Sequence, residues 1–332
     1  MMEIVTLAHG AGGRLTERLI ENLFKKYLNN EYLQQGDDGA VLSLPGTKVV
    51  FSTDSFVVNP LFFPGGDIGK LAVYGTVNDL AVMGAEPLFL SLGLILEEGL
   101  ELSELEKIVQ SIAQAAEKAG VKIVTGDTKV VEKGKGDKIY INTAGLGIIN
   151  TPNTPSGKKA RPGDKIIVNG YLGDHGAAIL AVRENIPGDF TSDCAPLNEL
   201  VKSIIQEYPV HVMRDPSRGG LAATLNEIAK QSNVGIELWE EKVPIRSQVK
   251  TLCGYLGLDV YALANEGKVI MIVPPEVAEK ALEKIKAHPL GKDAAIIGEV
   301  KEAPAGLVYV KNRIGGERII NMPLGENLPR IC

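Results

Sequence analysis

The stretch NTPNTPSGKKARPGDK, residues 150–165, divides this chain into two halves and so decides how it folds. It carries three prolines and two glycines and has no repeating apolar position, which is typical of a domain boundary. The total of 332 residues also exceeds the usual size of a single hydrophobic core. We therefore predict an N-terminal domain over residues 1–152, a C-terminal domain over residues 153–320 and a tail over residues 321–332.

On either side of this stretch, helical and strand patterns alternate. The first half has amphipathic helices predicted over residues 14–27 and 102–116, with β-rich runs KVVFSTD, LFLSLGLIL, VKIVTGD and IYINTAGLGII. In the second half, strands are predicted at KIIVNG, VIMIVP, AAIIGEV, LVYV and RII, with helices at HGAAILAVRE and PEVAEKALEKIKA. The alternation predicts a two-domain α/β or α+β fold.

Charge and cysteine usage exclude several classes of protein. The net charge is −6 and no block of Lys and Arg occurs, so nucleic acid is not an expected partner. No apolar run approaches the length that spans a bilayer, and the start MMEIVTLAHGAGG lacks a signal-peptide pattern, so a cytoplasmic protein is expected. Cys194, Cys253 and Cys332 are odd in number and lack CxxC spacing, which argues against disulfides and structural zinc.

The last residues, NMPLGENLPRIC, form a segment without an apolar face and end on the thiol of Cys332. Two prolines and a glycine prevent a helix here, so a mobile or docked tail is expected. Fully extended, about eleven residues reach roughly 35 Å. Such a tail could carry the thiol from an active site to the surface of another protein.

Acidic and amide side chains cluster in glycine-rich motifs of the first half. Any one of them could be a turn or cap residue, but together they indicate Mg²⁺ and a polyphosphate, because Mg²⁺ takes oxygen ligands. The motifs are GDDGA with Asp37 and Asp38, STDSF with Asp54, VNDLAVMG with Asn78 and Asp79, and TGDTK with Asp127 and Lys129.

Three further motifs have both a structural and a functional interpretation. HGAGG, from His9 to Gly13, could present backbone N–H groups to phosphate, or be a plain flexible N-terminus. In RDPSRGG, Asp215 is expected to cap a helix, while Gly219 and Gly220 imply close approach of another backbone or a ligand. Glu266 in NEGK is either a solvated turn residue or a general base.

In this order and spacing, the motifs resemble those of the superfamily of aminoimidazole ribonucleotide synthetase, selenophosphate synthetase and thiamine-monophosphate kinase. The resemblance implies a two-domain ATP-binding enzyme, dimeric through N-terminal sheets that pair into a barrel. It implies Mg²⁺ ligands at Asp37, Asp38, Asp54, Asp79 and Asp127. The ATP contacts it implies are His9, Gly10, Gly12, Gly13, Asp38, Asp54, Asn78, Asp79 and Asp127. It assigns the chemical step to Lys129 and Glu266.

The C-terminal PRIC is similar to the tail of one branch of this superfamily, the carbamoyl dehydratases that make the cyanide ligands of [NiFe]-hydrogenase iron. The expected reaction is ATP-dependent dehydration of an S-carbamoyl group on Cys332 to a thiocyanate. The expected partners are a second copy of the chain, a HypF-like carbamoyltransferase and an iron-bearing HypC–HypD-like acceptor. The alternatives are a small-molecule kinase or synthetase of the superfamily and a non-catalytic group carrier.

Overall fold

The computed structural model describes residues 13–19, 21–22, 34, 37, 40–44, 46–151, 154–324 and 330–332. Two β-sheets, one from each half, form its framework. The last strand of the first sheet ends at Ile149 and the first strand of the second begins at Lys165. The proline-rich stretch therefore separates the two sheets.

The first sheet has five strands in the order β1-β2-β7-β5-β6. Neighbouring strands in this sheet are antiparallel except for β5 and β6, which are parallel. A parallel pair needs a crossover connection, and helix α3 provides it. The strands are β1 Ala40–Leu44, β2 Thr47–Phe56, β5 Ala85–Glu97, β6 Lys122–Val131 and β7 Ile139–Ile149, and α3 is Leu102–Ala119. A two-stranded hairpin, β3 Phe62–Phe63 and β4 Gly66–Asp67, lies between β2 and the next helix. The first half is thus α+β.

The second sheet has seven strands in the order β14-β13-β10-β12-β8-β11-β9. Its strands are β8 Lys165–Val168, β9 Val212–Arg214, β10 Gly235–Trp239, β11 Ile270–Val273, β12 Ala295–Lys301, β13 Val308–Lys311 and β14 Glu317–Ile319. The helices of this half are α4 Asp174–Arg183, α5 Asn198–Ile205, α6 Gly220–Ser232, α7 Ser247–Leu256 and α8 Ala278–Ala287. Strands and helices alternate from α5 to β12, whereas α4 and α5 are consecutive helices and β12, β13 and β14 are consecutive strands.

Helix α2, Ile68–Val82, is almost completely buried. Of its 15 residues, all but Lys70 and Asp79 are buried. It packs on the first sheet, where Gly145 allows a close approach, since a Cβ there would lie 2.7 Å from the Thr76 side chain. Its last turn, with Ala81 and Val82, belongs to the hydrophobic cluster of the second half. One helix therefore takes part in both cores.

The sequence did not predict α2 as a helix. An amphipathic pattern arises only when one helix face meets water, and α2 is covered on nearly all sides. Asn78 and Asp79 accordingly lie in the last turns of a buried helix, where the prediction of a turn is wrong. Most other predicted elements are confirmed to within a few residues, including β7 and the strands and helices from residue 165 onward.

The predicted first helix is described only in part, as α1, Arg14–Leu19. Asp215 does not cap α6, because that helix begins at Gly220 with Gly219 as its N-cap. Within the described residues, every helix is too short or too polar to cross a lipid bilayer.

Candidate active site

Two of the predicted carboxylates, Asp54 and Asp79, lie where β2 meets α2. The Ser52 hydroxyl, on β2, donates a hydrogen bond to Oδ2 of Asp79 at 2.7 Å. Asp54 lies two residues further along the strand, and a Cβ on Gly75 of α2 would be 3.5 Å from its Oδ2. Both carboxylates therefore border one helix–strand contact.

Asp54 also faces the second half of the chain. The Arg218 guanidinium, from the loop before α6, lies 3.7 Å from Oδ1 of Asp54. Burial raises the pKa of Asp54, while the Arg218 charge and the Ser55 N–H oppose that rise. The acidic site is thus formed by both halves.

Glu266 is a buried carboxyl, only 7% exposed. Among the described residues, no hydrogen-bond partner reaches its Oε1. Burial raises its pKa well above the usual value, and the charges of Asp193 and Asp54 add to the rise. A desolvated carboxyl with an unpartnered oxygen is suited to exchanging a proton with a ligand.

The main chain at Glu266 is fixed by Asp193. The Asp193 carboxylate accepts hydrogen bonds from the N–H groups of Glu266 and Gly267, both at 3.1 Å, and from Lys268 Nζ at 3.0 Å. Burial alone would raise the pKa of Asp193, but Lys268 and the other donors outweigh it and lower the pKa. Asp193 is therefore a charged anchor for the loop that carries Glu266.

Asn78 fixes the segment that follows Asp193. Its Nδ2 donates to the Ala195 carbonyl at 3.1 Å, and its Oδ1 accepts from the Leu197 N–H at 2.8 Å. The side chain is buried inside α2. In this structure Asn78 positions protein backbone, and its predicted contact with ATP stays a prediction.

The end of the chain docks next to this region. The Val57 N–H donates to a main-chain oxygen of Cys332 at 3.0 Å, and the Asn59 N–H donates to the Arg330 carbonyl at 3.1 Å. The two bonds step by two residues in opposite directions along the segments, which is an antiparallel pairing. Residues 330–332 therefore lie antiparallel to residues 57–59, the segment directly after β2.

Side chains of the tail strengthen the docking. Ile331 is 3% exposed and belongs to the same hydrophobic cluster as Ala264, two residues before Glu266. Arg330 forms an ion pair with Asp137, and Arg183 of α4 donates to the carbonyl oxygens of Arg330 and Asn59. Cys332 packs, half-buried, against this cluster. The predicted substrate carrier therefore lies against the hydrophobic cluster that also contains Ala264.

Other predicted residues lie elsewhere. Asp127 and Lys129 form an ion pair on β6, 2.9 Å apart and each about 70% exposed. Asp37 accepts from the Ser156 hydroxyl and the Gly157 N–H. Over the ranges that the structure describes, no three His, Cys, Asp or Glu side chains are close enough to hold a metal ion.

The predicted glycine-rich loop is seen only at its end. Gly13 is buried, and its carbonyl accepts the Glu17 N–H at 3.0 Å in α1. The Arg14 N–H is already bonded to the Pro323 carbonyl at 2.9 Å. The predictions for His9, Gly10, Gly12 and Asp38 fall outside the described residues.

The close approach predicted for Gly219 and Gly220 is confirmed at Gly220. Gly219 and Gly220 have φ of 76° and 58°, in the left-handed region. A Cβ on Gly220 would lie 2.3 Å from the Leu263 carbonyl oxygen. The close approach is to another backbone, which holds the RDPSRGG loop against the segment leading to Glu266.

Sequence reasoning missed His175, Arg183, Ser192, Asp193 and Arg218. The motif TSDCAP, with an acid between serine and cysteine near a proline, is a signal that could have indicated Asp193. Arg183 and His175 gave no such signal, because they lie in a predicted helix where either residue is ordinary.

Family models match both halves of the chain. AIR synthase related protein, N-terminal domain, matches residues 36–149, and AIR synthase related protein, C-terminal domain, matches residues 161–311. Carbamoyl dehydratase HypE of Azotobacter vinelandii is 50% identical over 331 residues, covering 99% of this chain and 97% of the relative.

Two solved structures are also similar. One is the hydrogenase maturation protein HypE in complex with ATP, with a TM-score of 0.84 and 50% identity, covering 98% of this chain and 100% of that one. The other is a HypE–HypF complex, with a TM-score of 0.87 and 50% identity, covering 92% of this chain and 99% of that one.

Proposed function

Because the chain belongs to the AIR synthase related proteins, and within them to the HypE carbamoyl dehydratases that match it over 99% of its length, we propose that it is an ATP-dependent carbamoyl dehydratase. Its substrate is an S-carbamoyl group on its own Cys332, and its product is the thiocyanate that supplies cyanide for [NiFe]-hydrogenase iron.

The observation that carries the proposal is the docking of Cys332 against the hydrophobic cluster that contains Ala264, two residues before Glu266. Val57, which bonds the Cys332 main chain, follows Asp54 by three residues. Ile331 shares a hydrophobic cluster with Ala264. The main chain of the carrier residue thus pairs with the segment that follows Asp54, and the tail shares a hydrophobic cluster with the segment that leads to the buried carboxyl of Glu266.

The chemistry needs an activated oxygen and a base. The carbamoyl oxygen attacks the γ-phosphorus of ATP, the bond from that phosphorus to the bridging oxygen breaks, and ADP leaves. One N–H proton is lost, giving a phosphorylated imidate on sulfur. The C–O bond then breaks, phosphate leaves with its electron pair, and loss of the second N–H proton forms the C≡N bond. We assign the proton acceptor to Glu266, whose raised pKa makes its ionised form a stronger base.

Asp54 and Asp79 fit the ligand chemistry of Mg²⁺, because carboxylate oxygens are its preferred protein donors and both border the contact of β2 with α2. We propose that these two hold Mg²⁺, which would neutralise phosphate charge when bound with ATP. Asp37 is committed to Ser156 and Gly157 in this conformation, so it fits less well.

Lys129 and Asp127 need a second molecule beside them to take part in the reaction, since both project from β6 into solvent. We propose that the chain is a homodimer in which β6 faces a second copy. In support, β6 is the edge strand of its sheet, nine of its ten residues are exposed, and Val124 and Val130 are 60% and 67% exposed. Lys129 of one copy would then act at a nucleotide site shared by two copies.

A HypF-like carbamoyltransferase is the proposed donor of the carbamoyl group, because a similar chain forms a complex with HypF. A HypC–HypD-like scaffold is the proposed acceptor of cyanide, and the cytoplasm the proposed location. Both transfers require the tail to leave its docked position.

The test is the mass of the C-terminal peptide. Protein carbamoylated on Cys332 and mixed with Mg-ATP should lose the mass of one water from that peptide and release one ADP. An unchanged mass in folded protein that binds ATP rejects the proposal. Cys332→Ser should stop ADP release and Cys253→Ser should not; persistent turnover in Cys332→Ser would favour a kinase or synthetase acting on a free small molecule.

A further inference from the structure

We propose that His175 is a positioning residue for the C-terminal tail, and that it couples the docked tail to the loop that carries Glu266. The expected effect on catalysis rests on the proposed function. The coupling itself is seen in the contacts of His175 with Ser192 and Ile331.

His175 is the second residue of α4 and has no exposed surface. Its Nε2 lies 2.7 Å from the Ile331 carbonyl oxygen, and its Nδ1 lies 2.8 Å from the Ser192 hydroxyl. The ring of Phe63 packs against it edge-on, with centroids 5.3 Å apart. The imidazole is therefore held on three sides.

The partners fix which nitrogen carries the hydrogen. A carbonyl oxygen can only accept, so Nε2 donates to Ile331. Burial lowers the pKa of His175 and keeps the ring neutral, which leaves Nδ1 as an acceptor for the Ser192 O–H. The Ser192 oxygen in turn accepts the Cys194 N–H at 3.1 Å. A continuous chain of hydrogen bonds runs from Cys194 through Ser192 and His175 to Ile331.

Between Ser192 and Cys194 lies Asp193, the anchor of the Glu266 main chain. One loop of three residues thus contacts the tail through His175 on one side and the Glu266 loop on the other. When the tail leaves, the buried Nε2–H loses its partner, which is unfavourable for a buried donor. The docked tail and an ordered Glu266 loop therefore stabilise each other.

Arg183 contacts the tail from the same helix, where it donates a hydrogen bond to the Arg330 carbonyl that is only partly buried. Hydrogen bonds open to water contribute less than buried ones. His175 is accordingly a fully buried donor that positions Ile331, next to Cys332, in addition to the main-chain bonds from Val57 and Asn59.

The experiment compares His175→Phe, His175→Gln and His211→Phe in the full-length protein. Phenylalanine keeps the ring and removes both hydrogen bonds, whereas glutamine keeps an N–H for Ile331. The His211 Nδ1–H donates to the Asp164 carboxylate at 2.8 Å, so His211 controls for the loss of a histidine hydrogen bond away from the tail. Three quantities are measured: the alkylation rate of Cys332 by iodoacetamide, the dehydration rate, and the affinity for ATP.

We expect His175→Phe to alkylate about tenfold faster and to dehydrate about tenfold more slowly, the usual effect of one buried hydrogen bond. ATP affinity should stay unchanged, glutamine should restore most of both rates, and His211→Phe should match wild type. Ser192→Ala should also raise the alkylation rate and lower the dehydration rate. It replaces His175→Phe if that variant does not fold.

An unchanged alkylation rate in both His175→Phe and Ser192→Ala overturns the inference, as does slow dehydration with normal alkylation. Alkylation needs neither ATP nor carbamoylation. If wild type shows no dehydration but the alkylation shift is present, the proposed function fails and the coupling of tail and His175 stands.

Discussion

Gly267 lies against the main chain of Asp193 so closely that a Cβ at this position would be 1.9 Å from the Asp193 carbonyl oxygen. The Asp193 side chain also accepts the Gly267 N–H. Two loops from different parts of the second half therefore touch backbone to backbone, one residue after Glu266.

Replacing Gly267 with alanine should force these loops apart. We expect a loss of about 1–3 kcal/mol in the free energy of unfolding, as for other overpacked sites, and slower dehydration because Glu266 shifts. Gly254→Ala is the matched control, since Gly254 lies inside α7 with no atom near its missing Cβ, and it should gain about 0.5–1 kcal/mol. Denaturant unfolding measures both, and equal effects of the two variants would contradict the prediction.

Glu266→Gln should lose at least about a hundredfold in dehydration rate, because a general base is removed. It should also be more stable than wild type at about pH 8 and gain little at about pH 5. The folded state raises the pKa of Glu266, so the folded protein binds this proton more tightly and wild type loses stability as the pH rises through that pKa. Thermal unfolding over pH measures the difference.

The variant Glu276→Gln, at an exposed position, serves as the control for loss of a carboxylate, and its dehydration rate should match wild type. Wild-type dehydration in Glu266→Gln would remove Glu266 from the mechanism. A stability gain that grows toward low pH would contradict the direction of the pKa shift.

Asp54→Asn should weaken the effect of Mg²⁺ on ATP binding, because it removes one of two proposed carboxylate ligands. We expect the affinity for Mg-ATP to fall about tenfold or more, with binding of metal-free ATP less affected. Titration calorimetry with and without Mg²⁺ measures this. Asp259→Asn, which breaks an exposed pair with Arg318, should bind like wild type, and an unchanged Mg²⁺ effect in Asp54→Asn would exclude Asp54 as a ligand.

Val124→Glu should convert the proposed dimer to a monomer, because it places a carboxylate from each copy on the exposed strand β6. Sedimentation measures the mass in solution, and ATP-dependent dehydration should fall in parallel if Lys129 acts across copies. Leu102→Glu changes an 82% exposed leucine outside the sheet and should leave the mass unchanged. A monomeric wild type would refute the proposal.

Sequence alone predicted amphipathic α3 because one of its faces is buried and the other meets water, and it predicted strands such as β11 from their short β-rich runs although all four residues are buried. It failed for α2, where burial on nearly all sides removes the periodic signal. The same failure placed Asn78 in a turn, although its amide in fact spans from α2 to residues 195 and 197.

For the site, local patterns singled out Glu266, Gly220 and Cys332, since an acid beside glycine or a thiol at the chain end is visible in the sequence. Partners distant in sequence were not predictable. His175 and Ile331 lie 156 residues apart, and only the folded chain brings them within 2.7 Å. Lys129 raises a related difficulty, because its proposed role depends on a second molecule.

The position of α2 in both cores has a thermodynamic consequence. Separating the two halves would expose Ala81 and Val82 of α2 to water, together with the residues of the second half that pack on them. The second half would still keep a hydrophobic cluster of its own, between residues 160 and 320. We therefore expect each half to raise the free energy of unfolding of the other, although each has its own sheet.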